Sequence, residues 1–335
     1  MTSNRPILGV LIGDSSGVGP ELVARLAANE FYGEYCRPVI IGDVRIFEEG
    51  LKLVGKEAPH YAITKVSEAD WNKGIPILDT KDQDPKLVEM CKATAYCGKA
   101  VLDALTTAVR LYQAGEIQGF AFAPFNKTAL KMGGCKFESE HHFMADIFGH
   151  TEPFGEINVL GDMWTTRTTS HIPIKEVSQN LTVEKILRAE RLCHTTLLNA
   201  GVKKPRIGIA ALNPHCGEGG LCGREEIDVI TPAIQAAHEL GIGAEGPFSS
   251  DILFIKAFRG DFDGVVTMYH DQGQIALKLK GFDQGITIAG GLPAPIVTCA
   301  HGTAYDITGK GIAKTTAFEN AIKMTARMAL NCVTN

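Results

Sequence analysis

The 335-residue sequence predicts an α/β protein organised on a mostly parallel sheet. Three observations carry that reading. Short apolar runs alternate with longer amphipathic ones along the whole chain, the pattern of βα units. Several apolar runs end in polar or glycine-rich turns that open helices. No repeat, low-complexity tract or linker-like stretch interrupts the alternation.

The elements follow in order. Residues 7–12 (ILGVLI) read as a buried strand that runs through Gly13-Asp14-Ser15-Ser16-Gly17-Val18-Gly19-Pro20-Glu21 into a helix. Proline in the first turn, with serine and glycine before it, is a helix start signal. Such a turn can present backbone N–H groups to an anion. As a dinucleotide fingerprint it is weak, because Leu22 stands at the third glycine position and only Asp43 offers a ribose-binding acid. A purely structural turn accounts for it equally well. A strand at 38–41, a helix from 44, a polar stretch at 79–86 and a long helix at about 93–114 come next. Strand 119–123 ends at Pro124-Phe125-Asn126-Lys127, so Asn126 and Lys127 are candidate substrate contacts. A solvated lysine is the plain alternative.

Residues 135–152 (CKFESEHHFMADIFGHTE) are polar and aromatic. Strand 157–160 is followed by a β-rich run, 165–172, that reaches His171. A helix at 181–200 leads to strand 205–211, which ends at Asn213-Pro214-His215-Cys216-Gly217-Glu218-Gly219-Gly220. A helix at about 225–241 precedes Ser249-Ser250-Asp251, a helix-capping cluster. Residues 264–269 form a short buried strand that stops at His270-Asp271-Gln272-Gly273. Strands 286–289 and 296–299, a polar loop from His301 to Gly311, and a helix at 316–330 complete the chain.

Composition narrows the function classes. The chain is 45% hydrophobic and 21% charged, with net charge -5, so nothing points to nucleic acid. The N-terminal apolar run is too short for secretion or a membrane span. Nine cysteines show no CxxC pair, and Cys216 and Cys222 fit no common zinc-ribbon spacing. A cytoplasmic, reducing location is expected.

His171, His215 and His270 share one context, each following or ending a strand. In open α/β sheets ligands lie beyond the carboxyl ends of strands. Three imidazoles with an open position suit a divalent ion acting as a Lewis acid on an alcohol or carbonyl oxygen. Strand-end histidines that never meet would give the same spacing. Asp251 and Asp271 are candidate supporting carboxylates or extra ligands. Lys278 returns to this site if the Asp-Gln-Gly segment reverses the chain, and there it is a candidate acid or base.

The segments DSSGVGPE, NPHCGEGG, DILF, MYHDQGQIALK and HGTAYDITGKGIA resemble the 4-hydroxythreonine-4-phosphate dehydrogenase family of vitamin B6 synthesis, over nearly the whole chain. The last segment is also similar to the dinucleotide loop of isocitrate and isopropylmalate dehydrogenases. The resemblance implies two α/β/α domains with a cleft between them, isopropylmalate dehydrogenase-like: residues 1–138 with 285–335, and residues 139–284. It implies NAD, or NADP, at Gly290, His301, Gly302, Thr303, Ala304 and Asp306. It implies a homodimer with a shared active site, metal ligands His171, His215 and His270 with one from the partner chain, and a substrate contact by Lys278. Zinc suits imidazole ligands best; magnesium, cobalt, nickel, manganese and iron stay open.

The chain departs from the family at the substrate. Aligned by spacing, the phosphate anchor falls on Ser139-Glu140-His141-His142, and a substrate asparagine and arginine fall on Thr287 and Ile296. Glu140 and His141, with Thr287 and Ile296, are therefore candidate substrate contacts of altered chemistry. An acid repels a phosphate, and losing arginine removes a bidentate partner. The resulting expectation is a metal- and NAD-dependent dehydrogenase that oxidises a secondary alcohol of a hydroxy acid, with decarboxylation. An unphosphorylated cis-dihydrodiol carboxylate is the expected substrate. The alternatives are 4-hydroxythreonine 4-phosphate or a four-carbon sugar-acid phosphate, a metallohydrolase on the same histidines, and a non-catalytic binding protein.

Overall fold

A computed structural model describes residues 5–281 and 283–333. Met1–Asn4, the start of the N-terminal segment read above, lie outside the described residues. The chain divides into two compact units, Met1–Thr151 with Leu292–Asn335, and Glu152–Gly291. The first unit is discontinuous, and the divisions fall at 152 and 292. Two packing facts accompany them. The Glu140–Phe148 helix packs on the Ala95–Gln113 helix of the first unit. The 286–290 strand pairs with the 155–160 strand inside the second.

The described strands are β1 (Ile7–Leu11), β2 (Arg37–Gly42), β3 (His60–Ile63), β4 (Ile75–Asp79), β5 (Phe120–Phe122), β6 (Gly155–Leu160), β7 (Met163–Arg167), β8 (Arg206–Ala210), β9 (Gly243–Phe248), β10 (Gly264–Thr267), β11 (Ile286–Gly290) and β12 (Ile296–Cys299). The first unit carries the order β3-β4-β2-β1-β5-β12, parallel throughout. Leu8, Val10, Val39, Ile40, Ile41 and Phe120 are fully buried there, as expected when helices cover both faces. The second unit carries β11-β6-β7-β10-β8-β9. Here β11/β6 and β6/β7 are antiparallel neighbours, and β7, β10, β8 and β9 run parallel.

In the second unit the Val183–Asn199 helix packs close to β10 and β11. An added Cβ on Gly264 would meet Cys193 Sγ at 2.6 Å, and one on Gly290 would meet Ile157 and Thr196 at 2.9 Å. Gly290, expected to touch the dinucleotide, is thus a packing glycine. An apolar cluster of Met163, Leu253, Phe254, Ala257, Val265 and Leu277 fixes the Ser250–Phe258 and His270–Gly281 helices on the sheet. Among the described residues, no helix is long and apolar enough to cross a membrane. All nine cysteines are free thiols.

Two expected shapes change. The strand expected at 165–172 stops at Arg167. Thr168 and Thr169 still donate to the carbonyls of Thr267 and Met268, and the chain then turns at His171 with φ 54°. The Asp-Gln-Gly segment does not reverse the chain, because His270 is the first residue of a twelve-residue helix.

Candidate functional site

The carboxyl ends of β7, β10, β8 and β9 lie side by side on one edge of the second unit. They deliver His171, His270, His215 and Asp251 respectively. The rings of His171 and His270 meet, with centroids 5.5 Å apart and planes at 42°. His270 Nδ1 is hydrogen-bonded to Asp271 Oδ1 at 2.7 Å, which orients the ring and leaves Nε2 for a ligand. His215 is held the same way by Glu218 Oε1 at 2.9 Å.

The backbone under these histidines is unusual. His171 (φ 54°), His215 (φ 51°), Cys216 (φ 55°) and Glu218 (φ 46°) are left-handed, as are Gly217 and Gly219 between and after them. The left-handed region costs a non-glycine residue about 1–2 kcal/mol, and such strain clusters at functional sites. Glu226 is what holds the 212–219 segment. Buried, it accepts from the N–H groups of Leu212 and Asn213 at 2.9 and 2.8 Å and from Asn213 Nδ2 at 3.0 Å. Glu226→Ala leaves those donors without an acceptor, so unfolding stability should fall by about 2–4 kcal/mol in urea titrations. Unchanged stability would show that the loop is held elsewhere.

Gln272, part of the polar cluster read at the end of the 264–269 strand, ties three strand ends together. Its Oε1 accepts from Met268 N at 2.7 Å, and its Nε2 donates to Ala211 O at 2.6 Å and Ser250 Oγ at 2.7 Å. Asp251 is exposed at the start of its helix. The Ser249 hydroxyl donates to it at 2.6 Å and, with the N–H of Ile252 and the charge of His215, holds its carboxyl below the usual range. Lys278 is exposed eight residues along the helix from His270, about 12 Å away at helical rise, so the return expected from a chain reversal does not occur. Among the described residues no three His, Cys, Asp or Glu side chains gather tightly enough to hold a metal ion. The two rings that come together are those of His171 and His270.

In the first unit, the loop from His301 to Asp306 is docked on the turn after β1. Val18 N donates to Thr303 O at 3.1 Å, and an added Cβ on Gly17 would meet Thr303 Cβ at 2.8 Å. The Tyr305 hydroxyl donates to Asp14 Oδ2 at 3.2 Å and lies 3.1 Å from Ser16 Oγ. Ala304 is left-handed (φ 48°), and open space surrounds the Gly302 Cα. His301, Gly302 and Asp306 remain accessible, while Thr303 is buried. Residues 14–21 are buried while Gly302 and Asp306 are exposed, so this loop is the better candidate for a dinucleotide. Asp43 is spent elsewhere: it is buried and caps the Val44–Val54 helix. Burial pushes its carboxyl up, but Arg45 and the Gln83 N–H win and hold it low.

The remaining expected contacts are placed as follows. Asn126 caps the Lys127–Met132 helix by accepting from Thr128 N and Ala129 N, and Lys127 is exposed beside it. Ser139 caps the next helix, and Glu140 and His141 are buried at 7% and 3% exposure. Glu140 therefore does not present its carboxylate to open solvent. Thr287 accepts from Asn158 Nδ2 at 3.1 Å. Ile296 is fully buried in β12, a core position rather than a substrate contact.

A sequence profile for "Pyridoxal phosphate biosynthetic protein PdxA" matches residues 34–325. A Pseudomonas aeruginosa relative is 43% identical over 331 residues, covering 96% of this chain and 97% of its own. The D-threonate 4-phosphate dehydrogenase of Cupriavidus necator is 36% identical, covering 98% and 99%. The crystal structure of a 4-hydroxythreonine-4-phosphate dehydrogenase from Burkholderia phymatum superposes with a TM-score of 0.84 at 34% identity, covering 97% and 99%. A terephthalate 1,2-cis-dihydrodiol dehydrogenase from Burkholderia xenovorans is more distant, with a TM-score of 0.67 at 25% identity. The nearer named relatives carry 4-phosphates in their names, so the expectation of an unphosphorylated substrate finds no support.

Proposed function

Because the chain belongs to the PdxA family, whose named members are dehydrogenases acting on a CH–OH group, we propose that it oxidises the secondary hydroxyl of a four-carbon hydroxy acid 4-phosphate. The proposed oxidant is NAD, or NADP, received by the 301–306 loop. The observation that carries the reading is the paired His171 and His270 rings at the carboxyl edge of the sheet. Their chemistry fits a divalent ion, zinc before magnesium, cobalt, nickel or manganese. That ion would polarise the substrate oxygen as a Lewis acid when bound. Asp271 fixes the ring of His270, and Glu218 that of His215. The loop of left-handed residues holds His215 outward for the same ion in a second copy. When bound, the dinucleotide would accept the hydride of the carbinol carbon, and the hydroxyl proton would pass to solvent. Where the carboxylate lies β to the new ketone, carbon dioxide follows. Nine free thiols fit a reducing, cytoplasmic setting.

The reading is tested by stripping the protein of metal and following NADH absorbance with 4-hydroxythreonine 4-phosphate and D-threonate 4-phosphate. Turnover that returns only with added divalent ion supports it. Turnover indifferent to metal, or hydrolysis without dinucleotide, favours the metallohydrolase or another chemistry.

A homodimer completes the proposal, since among the described residues no three candidate ligands gather in one chain. Ile252 and Ile255 on one helix, and Ile275 and Leu279 on the next, stand 47–84% exposed beside the histidines. Large apolar side chains exposed in such groups mark protein contacts. In that dimer Lys278, on the same helix as Leu279, is the proposed substrate contact from the second copy. Ile275→Asp with Leu279→Glu should yield monomers by light scattering, with turnover lost and the fold intact by circular dichroism. A dimer that survives both changes places the interface elsewhere.

A further inference from the structure

Beside the histidine pair, the sheet face changes character. Along β7 the face that begins at Met163, in the apolar cluster, continues as Thr165 and Arg167. Register places Asn158 opposite both Thr165 and Thr287, and alternation adds Glu156 to the same face. Arg167 sits at the centre, its side chain 8% exposed. Its Nε donates to Ser170 Oγ at 2.9 Å, Nη1 to Asn158 Oδ1 at 2.9 Å, and Nη2 to Glu156 Oε2 at 2.5 Å. Asn158 also donates to Thr287 and accepts from Gln274 Nε2. Ser170 immediately precedes His171, and Gln274 lies one helical turn after His270, so this polar layer borders both rings.

The layer has donors to spare. Guanidinium carries five N–H bonds and each primary amide two. Arg167 uses three of its five, and Asn158 and Gln274 each use one of their two. Its formal charge is balanced, one guanidinium against one carboxylate. Burying an arginine among strand residues is costly unless its N–H groups find oxygen partners. A monoanionic carboxylate offers two oxygens and matches the unspent donors. A phosphate dianion would add twice the charge beside Glu156.

We propose that Arg167, with Asn158 and Gln274, binds the carboxylate of the substrate and sets specificity for acids over alcohols. The assignment rests on the dehydrogenase reading for where the substrate lies, but its test does not need turnover. Zinc-loaded protein is titrated by calorimetry with D-threonate 4-phosphate and with D-threitol 4-phosphate, which differ only in carboxylate against hydroxymethyl. Wild-type protein should prefer the acid at least tenfold. Arg167→Leu should erase the preference while leaving alcohol binding within about twofold, and Arg167→Lys should restore part of it. Glu156→Leu with Arg167→Leu removes both charges and guards against a folding failure of the single variant. Equal preference in wild type and Arg167→Leu, equal loss for both ligands, or no binding of either to wild type overturns the assignment. Acid preference without NADH formation supports it and counts against the dehydrogenase reading alone.

Discussion

His270→Ala should lower kcat/KM by on the order of a thousandfold, about 4 kcal/mol of transition-state stabilisation. The ring is one of two that meet at the carboxyl edge, directly after the Gly264–Thr267 strand. Stability should barely move, since the side chain is 37% exposed and its hydrogen bond runs to its sequence neighbour Asp271. Asp271→Asn should act through orientation alone, costing roughly 10–100-fold in metal affinity. Bound metal by elemental analysis, beside steady-state kinetics, separates the two. Full activity in His270→Ala would remove the histidine pair from the chemistry.

Glu190 gives the second large effect, on stability. It lies in the middle of the Val183–Asn199 helix with no exposure, and among the described residues neither carboxylate oxygen has a hydrogen-bond partner. Burial pushes its carboxyl up to about 8. An unfolded glutamate titrates near roughly 4.3. The folded form therefore binds a proton across that interval while the unfolded form does not. Its full contribution to stability is present below the unfolded value and is lost as pH rises through about 8. The loss amounts to about 3–5 kcal/mol at most. Glu190→Leu, close in volume and apolar, should flatten the pH profile and raise stability at pH 8. Glu190→Gln should flatten it too, with less gain, because the amide stays unpartnered. Urea midpoints across the range decide the matter; parallel profiles for wild type and Glu190→Leu would clear Glu190 of the role.

The histidines were legible because an apolar run of known length fixes where a strand ends, and polar residues then fall at the sheet edge. The same logic missed β3, β4 and β9. β9 (GAEGPF) has almost no apolar pattern, and β4 carries a proline; pairing with neighbours makes them strands. Lys278 was misplaced because no serine, threonine, aspartate or asparagine precedes His270 to announce a helix, so Asp-Gln-Gly read as a turn. Gln272, Glu226 and Arg167 act through partners distant in sequence, and only cross-strand register reveals them. Glu140 looked like a charge facing substrate because burial cannot be read from a capping segment.

The histidines are proposed to serve a metal-dependent oxidation, and metal removal tests this directly. Metal-free protein given D-threonate 4-phosphate and NAD should form no NADH until zinc or another divalent ion is restored. His171→Ala and His270→Ala should stay silent after that addition. NADH formed at the same rate with and without metal, or undiminished in both variants, would contradict the account.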